Sequence, residues 1–270
     1  MHPVLVTIGG HPLGTHDAFV ALAFLVGLVT FLGETRRRSM WDERLIPVVV
    51  GVVLGGAIGA RLAGLLDAAT TGESGALAWA WIQGGRSILG GLSGAYVGAL
   101  LGKRVGGYPG RTGDLFAPAA ALGLAVGRVG CLLTEAPGRP TSLPWGVTVD
   151  PSVATSIPEC PGCLAGVAMH PSFLYEILFL LAAFAALVAL RRRIDEPGEL
   201  FVLFLAAYAV FRFGVEFTRA NPPDLLGLTR SQVFILALSP LLALRVLRSA
   251  RRGHYDRILP AARVPVRGAA

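Results

Sequence analysis

The chain is short of charge, of lysine, of cysteine and of aromatic residues, and each shortage narrows what it can be. Of 270 residues only 15% are charged and 8% aromatic, against 53% hydrophobic and a mean hydropathy of +0.62. That balance argues against a soluble protein and points to the bilayer. Lys103 is the one lysine, so the net charge of +7 rests on 23 arginines set against 17 acids. The cysteines are Cys131, Cys160 and Cys163. In Glu159-Cys160-Pro161-Gly162-Cys163 the two thiols lack histidine partners, which makes a poor zinc site, whereas an oxidising compartment favours a disulfide. No metal and no cofactor is expected.

Apolar runs bounded by charge predict seven transmembrane helices, over 17–34, 45–66, 86–102, 114–133, 171–190, 199–218 and 231–247. Arginines cluster after the first (Arg36, Arg37, Arg38, Arg44), third (Lys103, Arg104, Arg111), fifth (Arg191, Arg192, Arg193) and seventh (Arg248, Arg251, Arg252, Arg257). The opposite loops hold only Arg86, Arg139, Arg219 and Arg230. By the positive-inside rule the N-terminus is outside and the C-terminus inside. Most of the positive charge is thereby a topology signal, and no nucleic acid is expected as a partner. The fold class is an all-α integral membrane bundle over residues 1–252, with an outer loop over 134–170. A basic, unstructured cytoplasmic tail is expected over 253–270.

Glycines recur every four residues in three helices: Gly51, Gly55 and Gly59; Gly90, Gly94, Gly98 and Gly102; Gly123 and Gly127. Small residues at that spacing let helix backbones approach where lipid supplies no hydrophobic drive. The pair Gly90-Gly91 is also a candidate for lining a site.

Charges inside the helices carry the functional information. At about 1.5 Å of rise per residue, Arg61, Arg86, Arg128, Glu176, Arg212 and Glu216 each lie roughly 20–26 Å from the charge marking the inner end of their helix. Five helices thus bring a charge to the outer third of the membrane, where such groups normally face a polar interior site. Arg212, Glu216 and Arg219, at i, i+4 and i+7, share one face. One reading is a structural ion pair between helices. Against it, Arg61, Arg86, Arg128, Arg139, Arg212 and Arg219 outnumber Glu135, Glu176 and Glu216, and an excess of guanidinium groups at one depth asks for an anion. In the outer leaflet that anion is a phospholipid phosphate.

His170-Pro171-Ser172 opens the fifth helix, with Tyr175-Glu176 following, so His170 is either a helix-start residue or part of the polar wall. Asp17, beside His16, suits an N-cap. Cys131, three residues after Arg128, reads as a small core residue or as part of the site lining.

These residues resemble the prolipoprotein diacylglyceryl transferase family over most of the chain. The resemblance rests on Gly127-Arg128-Val129-Gly130-Cys131 leading to Gly138-Arg139-Pro140-Thr141, on His170-Pro171-Ser172-Phe173-Leu174-Tyr175-Glu176, on Arg212-Phe213-Gly214-Val215-Glu216-Phe217-Thr218-Arg219, on Ser231-Gln232 and on Gly59-Ala60-Arg61. It implies a seven-helix enzyme of the bacterial inner membrane that moves the diacylglyceryl group of phosphatidylglycerol to the thiol of a prolipoprotein signal-peptide (lipobox) cysteine, releasing glycerol phosphate. By the same resemblance, Arg128 and Arg212 hold or position the phosphate, Glu135 and Glu216 orient those arginines, and Arg139 belongs to a loop over the site. The expected catalytic set is Arg128, Glu135, His170, Arg212 and Glu216. The expected substrate-binding set is Arg61, Arg86, Gly90, Gly91, Arg139, Tyr175, Glu176, Arg219 and Gln232.

The chain departs from the best-known members at three residues and in the loop between Cys131 and Gly138, which is one residue shorter than theirs. Leu89 stands where they have a histidine before a glycine pair, Cys131 where they have asparagine, and His16 where they have a tyrosine opening the first helix. A thiol acceptor must lose its proton, and His170, His16 or an arginine–glutamate pair is left to take it. Competing readings keep the lipid donor with another acceptor, or make the chain a catalytically silent lipid-binding relative.

Overall fold

The computed structural model describes residues 4–9, 11–71, 87–149 and 166–258. Seven α-helices dominate it: α1 (Thr15–Arg37), α2 (Leu45–Thr71), α3 (Ile88–Gly106), α4 (Gly113–Thr134), α5 (Ser172–Leu190), α6 (Glu199–Val215) and α7 (Arg230–Arg251). A single 3₁₀ turn, Glu216–Thr218, extends α6. Two short antiparallel pairs complete the fold, β1 (Val4–Ile8) with β2 (His11–Gly14), which runs straight into α1, and β3 (Val147–Thr148) with β4 (Ala168–Met169). The N-terminal hairpin was not expected from the apolar pattern, because a strand pair this short has little periodicity to read.

Among the described residues, six helical stretches are long and apolar enough to cross a membrane: Thr15–Arg37, Leu45–Leu62, Gly113–Thr134, Ser172–Leu190, Glu199–Thr218 and Arg230–Arg251. The third expected span forms as α3, whose 19 residues include six glycines together with Lys103 and Arg104, and this lowers its hydropathy below that of the other six. Where the helices outrun the expected segments, polar residues extend their ends.

The chain forms two compact units, one from residues 1–34 with 111–270 and the other from 35–110. In the smaller unit α2 and α3 pack along their glycines. A Cβ added at Gly51, Gly55 or Gly59 would overlap the carbonyl oxygen of Gly98, Gly94 or Gly90 in turn. Gly91 meets Ala60 Cβ and Gly56 O across the same contact, each 3.6 Å from where its own Cβ would lie. Backbone-to-backbone packing of this kind replaces the side-chain interdigitation of a soluble pair. Ser87 caps α3, its Oγ accepting from Gly90 N at 3.2 Å.

In the larger unit α4 is the most enclosed span, with half of its residues buried. It packs on α5 and α6, and α6 in turn on α7. Glycines also seat α1 against α4: a Cβ at Gly123 would lie 3.1 Å from Ala23 O, and one at Gly130 2.9 Å from Phe19 Cβ. Thr229 begins α7 with a capping box, its side chain accepting from Gln232 N while the Gln232 side chain accepts from Thr229 N at 3.0 Å.

The tail departs from expectation over its first residues. Residues 253–258 form turns, and Tyr255 is buried with its hydroxyl donating to Glu199 Oε2 at 2.6 Å. A fully buried carboxylate at the start of α6 needs donors, and the tail supplies one of them.

Candidate functional site

The site lies in the larger unit, where α4, α5 and α6 each contribute charge at one level. Arg128, Glu176, Arg212 and Glu216 are all buried. Arg128 Nε stands 2.9 Å from Glu176 Oε2, and Arg219 Nη1 is 3.9 Å from the same oxygen. Tyr208, one turn before Arg212, donates to Glu176 Oε1 at 2.7 Å. Arg212 pairs with Glu216 within α6 and its 3₁₀ extension. The other Glu216 oxygen accepts from Asn221 Nδ2 at 2.7 Å and from Thr229 Oγ1 at 2.9 Å. Phe173 lies against two of the cations, its ring centroid 5.5 Å from Arg128 Cζ and 4.6 Å from Arg219 Cζ.

Charge and hydrogen bonding in this cluster do not balance. Three guanidiniums, Arg128, Arg212 and Arg219, face two carboxylates, Glu176 and Glu216. Burial lowers the pKa of Arg219, and the positive charges of Arg128 and Arg212 lower it further. Among the described residues, Arg128 Nε, Arg212 Nε and Arg219 Nη1 are buried without a hydrogen-bond acceptor, and Glu176 Oε2 beside them is the one carboxylate oxygen of the cluster without a donor. The Arg128–Glu176 approach is thus an ion pair by distance, with the N–H not directed at the carboxylate. Buried donors are normally satisfied, and three left over beside one net positive charge fit an anion.

The loop after α4 is stitched to this cluster through its backbone. Gly138 N donates to His170 O and Arg139 N to Thr218 O, each at 2.7 Å; His170 N returns a bond to Arg139 O at 2.9 Å. Arg139 Nε also donates to Arg219 O at 2.9 Å, while its side chain is largely exposed. A Cβ at Gly138 would overlap both Thr218 O and Ser172 Oγ, so the loop can approach only as glycine. Trp145 Nε1 donates to Tyr175 Oη at 2.8 Å, and that oxygen lies 3.2 Å from His170 Nδ1. The loop over 138–145 is thereby held by both α5 and the end of α6.

Not every residue expected at the site sits in this cluster. Glu135, expected to orient arginines, stands instead with its Oε1 3.8 Å from His16 Nε2, and Glu176 is the carboxylate beside Arg128. Gln232 is occupied by the α7 cap, its Nε2 donating to Phe213 O at 3.3 Å. Arg61, Gly90 and Gly91 belong to the smaller unit, and Arg86 lies outside the described residues, as do Cys160 and Cys163. The sequence reading missed Tyr208, Phe173, Asn221 and Thr229. Tyr208 was discoverable as the i−4 neighbour of Arg212, and Thr229 from the Thr-x-x-Gln capping signature. It also missed the meeting of His16, Cys131 and Glu135, whose nitrogen, sulfur and carboxylate atoms all lie within 4.8 Å of one another.

Membrane-length helices around an arginine-rich polar cluster define a multi-pass membrane protein. Residues 3–247 match the family described as prolipoprotein diacylglyceryl transferase, and the chain belongs to that family. A phosphatidylglycerol-prolipoprotein diacylglyceryl transferase of Cereibacter sphaeroides is 34% identical over 277 residues, covering 86% of this chain and 90% of the relative. Proteins of the same name from Bordetella parapertussis (35% over 241 residues, 84% of this chain and 85% of the relative) and Trichormus variabilis (32% over 247 residues, 87% and 84%) are similar to it.

Proposed function

We propose that this protein transfers the diacylglyceryl group of phosphatidylglycerol to the thiol of a prolipoprotein signal-peptide (lipobox) cysteine and releases glycerol phosphate, in a bacterial inner membrane with its N-terminus outside. The observation that carries the reading is the set of three buried guanidinium donors without acceptors, one positive charge in excess of the two carboxylates. A phosphodiester carries one negative charge, and the departing phosphate monoester develops more. Arg128, Arg212 and Arg219 stabilise that growing charge in a site of low polarity, where fixed donors act most strongly. Glu176 and Glu216 hold the guanidiniums in place, with Tyr208, Asn221 and Thr229 fixing the carboxylates in turn.

In the reaction the acceptor sulfur forms a bond to the glycerol carbon of the diacylglyceryl group. The bond from that carbon to the phosphate oxygen breaks, and its electron pair leaves with glycerol phosphate. Arg139 and the loop it belongs to cover the headgroup, and Tyr175 with His170 forms the wall beneath that loop. His170 is tied at Nδ1 to Tyr175 and at its backbone to Arg139, which suits a wall residue better than a mobile base. The assignment of Arg61, Arg86, Gly90, Gly91 and Gln232 to substrate rests on the sequence resemblance. The test is complementation of transferase-depleted cells with mass spectrometry of a reporter prolipoprotein. A diacylglyceryl mass on the lipobox cysteine is expected; an unmodified cysteine, with the protein expressed and inserted, overturns the reading.

A further inference from the structure

We infer that His16, Cys131 and Glu135 form a binding site for a zinc-class divalent cation, with three protein ligands and one open position. The three groups come from the start of α1 and the end of α4, and their ligand atoms lie within 4.8 Å of one another. Each is a favoured zinc donor: imidazole nitrogen, thiolate sulfur and carboxylate oxygen. A tetrahedral ion with ligands at 2.0–2.3 Å needs donor atoms about 3.5 Å apart. His16 Nε2 and Glu135 Oε1 are already 3.8 Å apart, and the Glu135 side chain is 43% exposed.

Three further features favour the site. Gly130 fixes the approach of α1 to α4, since a Cβ there would stand 2.9 Å from Phe19 Cβ and 3.4 Å from His16 Cα; this rigid contact sets His16 beside Cys131. Asp17 Oδ1 lies 3.8 Å from the other ring nitrogen of His16, the arrangement in which a carboxylate orients a metal-bound histidine. Charge at the three ligands also balances, because a Cys131 thiolate and the Glu135 carboxylate offset a dication without drawing on Glu176, which answers Arg128 and Arg219.

The inference rests on the proposed transferase function for its consequence. Arg128 Nη1 lies 3.6 Å from Cys131 Sγ, so the site adjoins the arginines assigned to phosphate. An acceptor thiol taking that position would lose its proton to water through the half-exposed His16–Glu135 face. Its sulfur electron pair would then form the bond to the glycerol carbon while the pair of the carbon–oxygen bond departs with glycerol phosphate. Three-ligand zinc sites keep a position open for such a group.

The test uses the full-length protein in detergent, stripped with a chelator and dialysed against Zn²⁺ or Co²⁺ alone. One zinc per chain and a thiolate-to-cobalt charge-transfer band are expected. Both should be lost in Cys131→Ser and His16→Gln and retained in the Cys160→Ser/Cys163→Ser double variant, with melting temperature reporting the fold of each. Asp17→Asn should bind about 10–100-fold more weakly. Absence of bound metal in the unaltered protein, or metal that follows Cys160 and Cys163 instead of Cys131, overturns the inference. Transfer measured on the same samples separates the two claims. Active protein that binds no zinc overturns the metal site and leaves the transferase reading standing, and stoichiometric zinc without transfer does the reverse. Zinc binding with transfer undiminished by stripping overturns the activating role.

Discussion

Arg128 Nε lies 2.9 Å from Glu176 Oε2, and Arg219 Nη1 reaches to 3.9 Å of that same oxygen. One carboxylate thus answers to two guanidiniums on different segments. Replacing it by Glu176→Gln keeps the shape and the Tyr208 contact but leaves two buried cations uncompensated. Removing one partner of a buried pair costs about 3–5 kcal/mol, so a clear fall in melting temperature in detergent is expected. Tyr208→Phe, which removes one donor to the carboxylate, should cost about 1–3 kcal/mol. A Glu176→Gln protein as stable as the parent would show that the pair is not what holds the arginines.

Arg212 separates charge from geometry. It pairs with Glu216 one turn away and keeps a buried Nε without an acceptor. Lysine preserves the charge but not the planar fork that matches a phosphate. Arg212→Ala and Arg212→Lys should both lower transfer by about a hundredfold or more, with expression and membrane insertion unchanged. Turnover in the lysine variant within a few-fold of the parent would reduce the role of Arg212 to a point charge.

The loop over the site depends on one glycine. Gly138→Ala would drive a methyl group into Thr218 O and Ser172 Oγ, whereas a Cβ at Gly214 meets nothing within 4 Å. Transfer should be severely reduced by Gly138→Ala and preserved by Gly214→Ala, both measured with the same reporter prolipoprotein. Because Gly138, Arg139 and His170 are joined through backbone bonds, the loss should appear even though Gly138 carries no chemical group.

How far the sequence reached follows from what kind of signal each residue leaves. The helices were legible because apolar runs end at arginine clusters, and α4, expected over 114–133, forms over Gly113–Thr134. Arg128, Glu176, Arg212 and Glu216 were legible because a charge inside an apolar run is costly and rarely accidental. Tyr208 and Phe173 were not, since an aromatic residue in such a run looks like any core residue. Glu135 was assigned to the arginines by resemblance. It is the C-cap of α4, in extended backbone at φ −99° and ψ 158°, and its carboxylate faces His16. A change of backbone direction at a helix end leaves little trace in composition. The helix-to-helix contact at Gly130 that brings His16 to Cys131 is tertiary and has no local signature at all.

The α2–α3 contact gives a stability prediction independent of catalysis. An alanine at Gly98 would place its Cβ inside the Gly51 carbonyl oxygen, while one at Gly56 would find Ala95 Cβ and Gly91 O at an ordinary 3.5 Å. Gly98→Ala should force the two helices apart and lower the yield of folded protein, and Gly56→Ala should be tolerated. Detergent extraction followed by size-exclusion chromatography distinguishes them. Equal behaviour of the two variants would mean that close backbone approach is not what joins these helices.

The beginning of the tail is expected to stabilise the bundle although it lies beyond the last helix. Glu199, fully buried at the start of α6, receives the Tyr255 hydroxyl at 2.6 Å, pairs with Arg245 and has His254 Nδ1 at 3.6 Å. Truncation after Arg252 removes Tyr255 and His254 and leaves the carboxylate with Arg245, at a cost of about 1–3 kcal/mol for the lost buried hydrogen bond. Truncation after Ile258 spares both residues and should retain the share of stability that Tyr255 contributes. Burial, and after it the contact with Glu199, raises the Tyr255 pKa. The tyrosine's contribution is therefore complete below its unfolded pKa of about 10 and declines as the pH rises from there toward the higher folded value. Melting curves of the parent and of Tyr255→Phe should converge on raising the pH through that range. A constant gap between them would show that the hydroxyl of Tyr255 does not ionise in the unfolded chain before it does in the bundle.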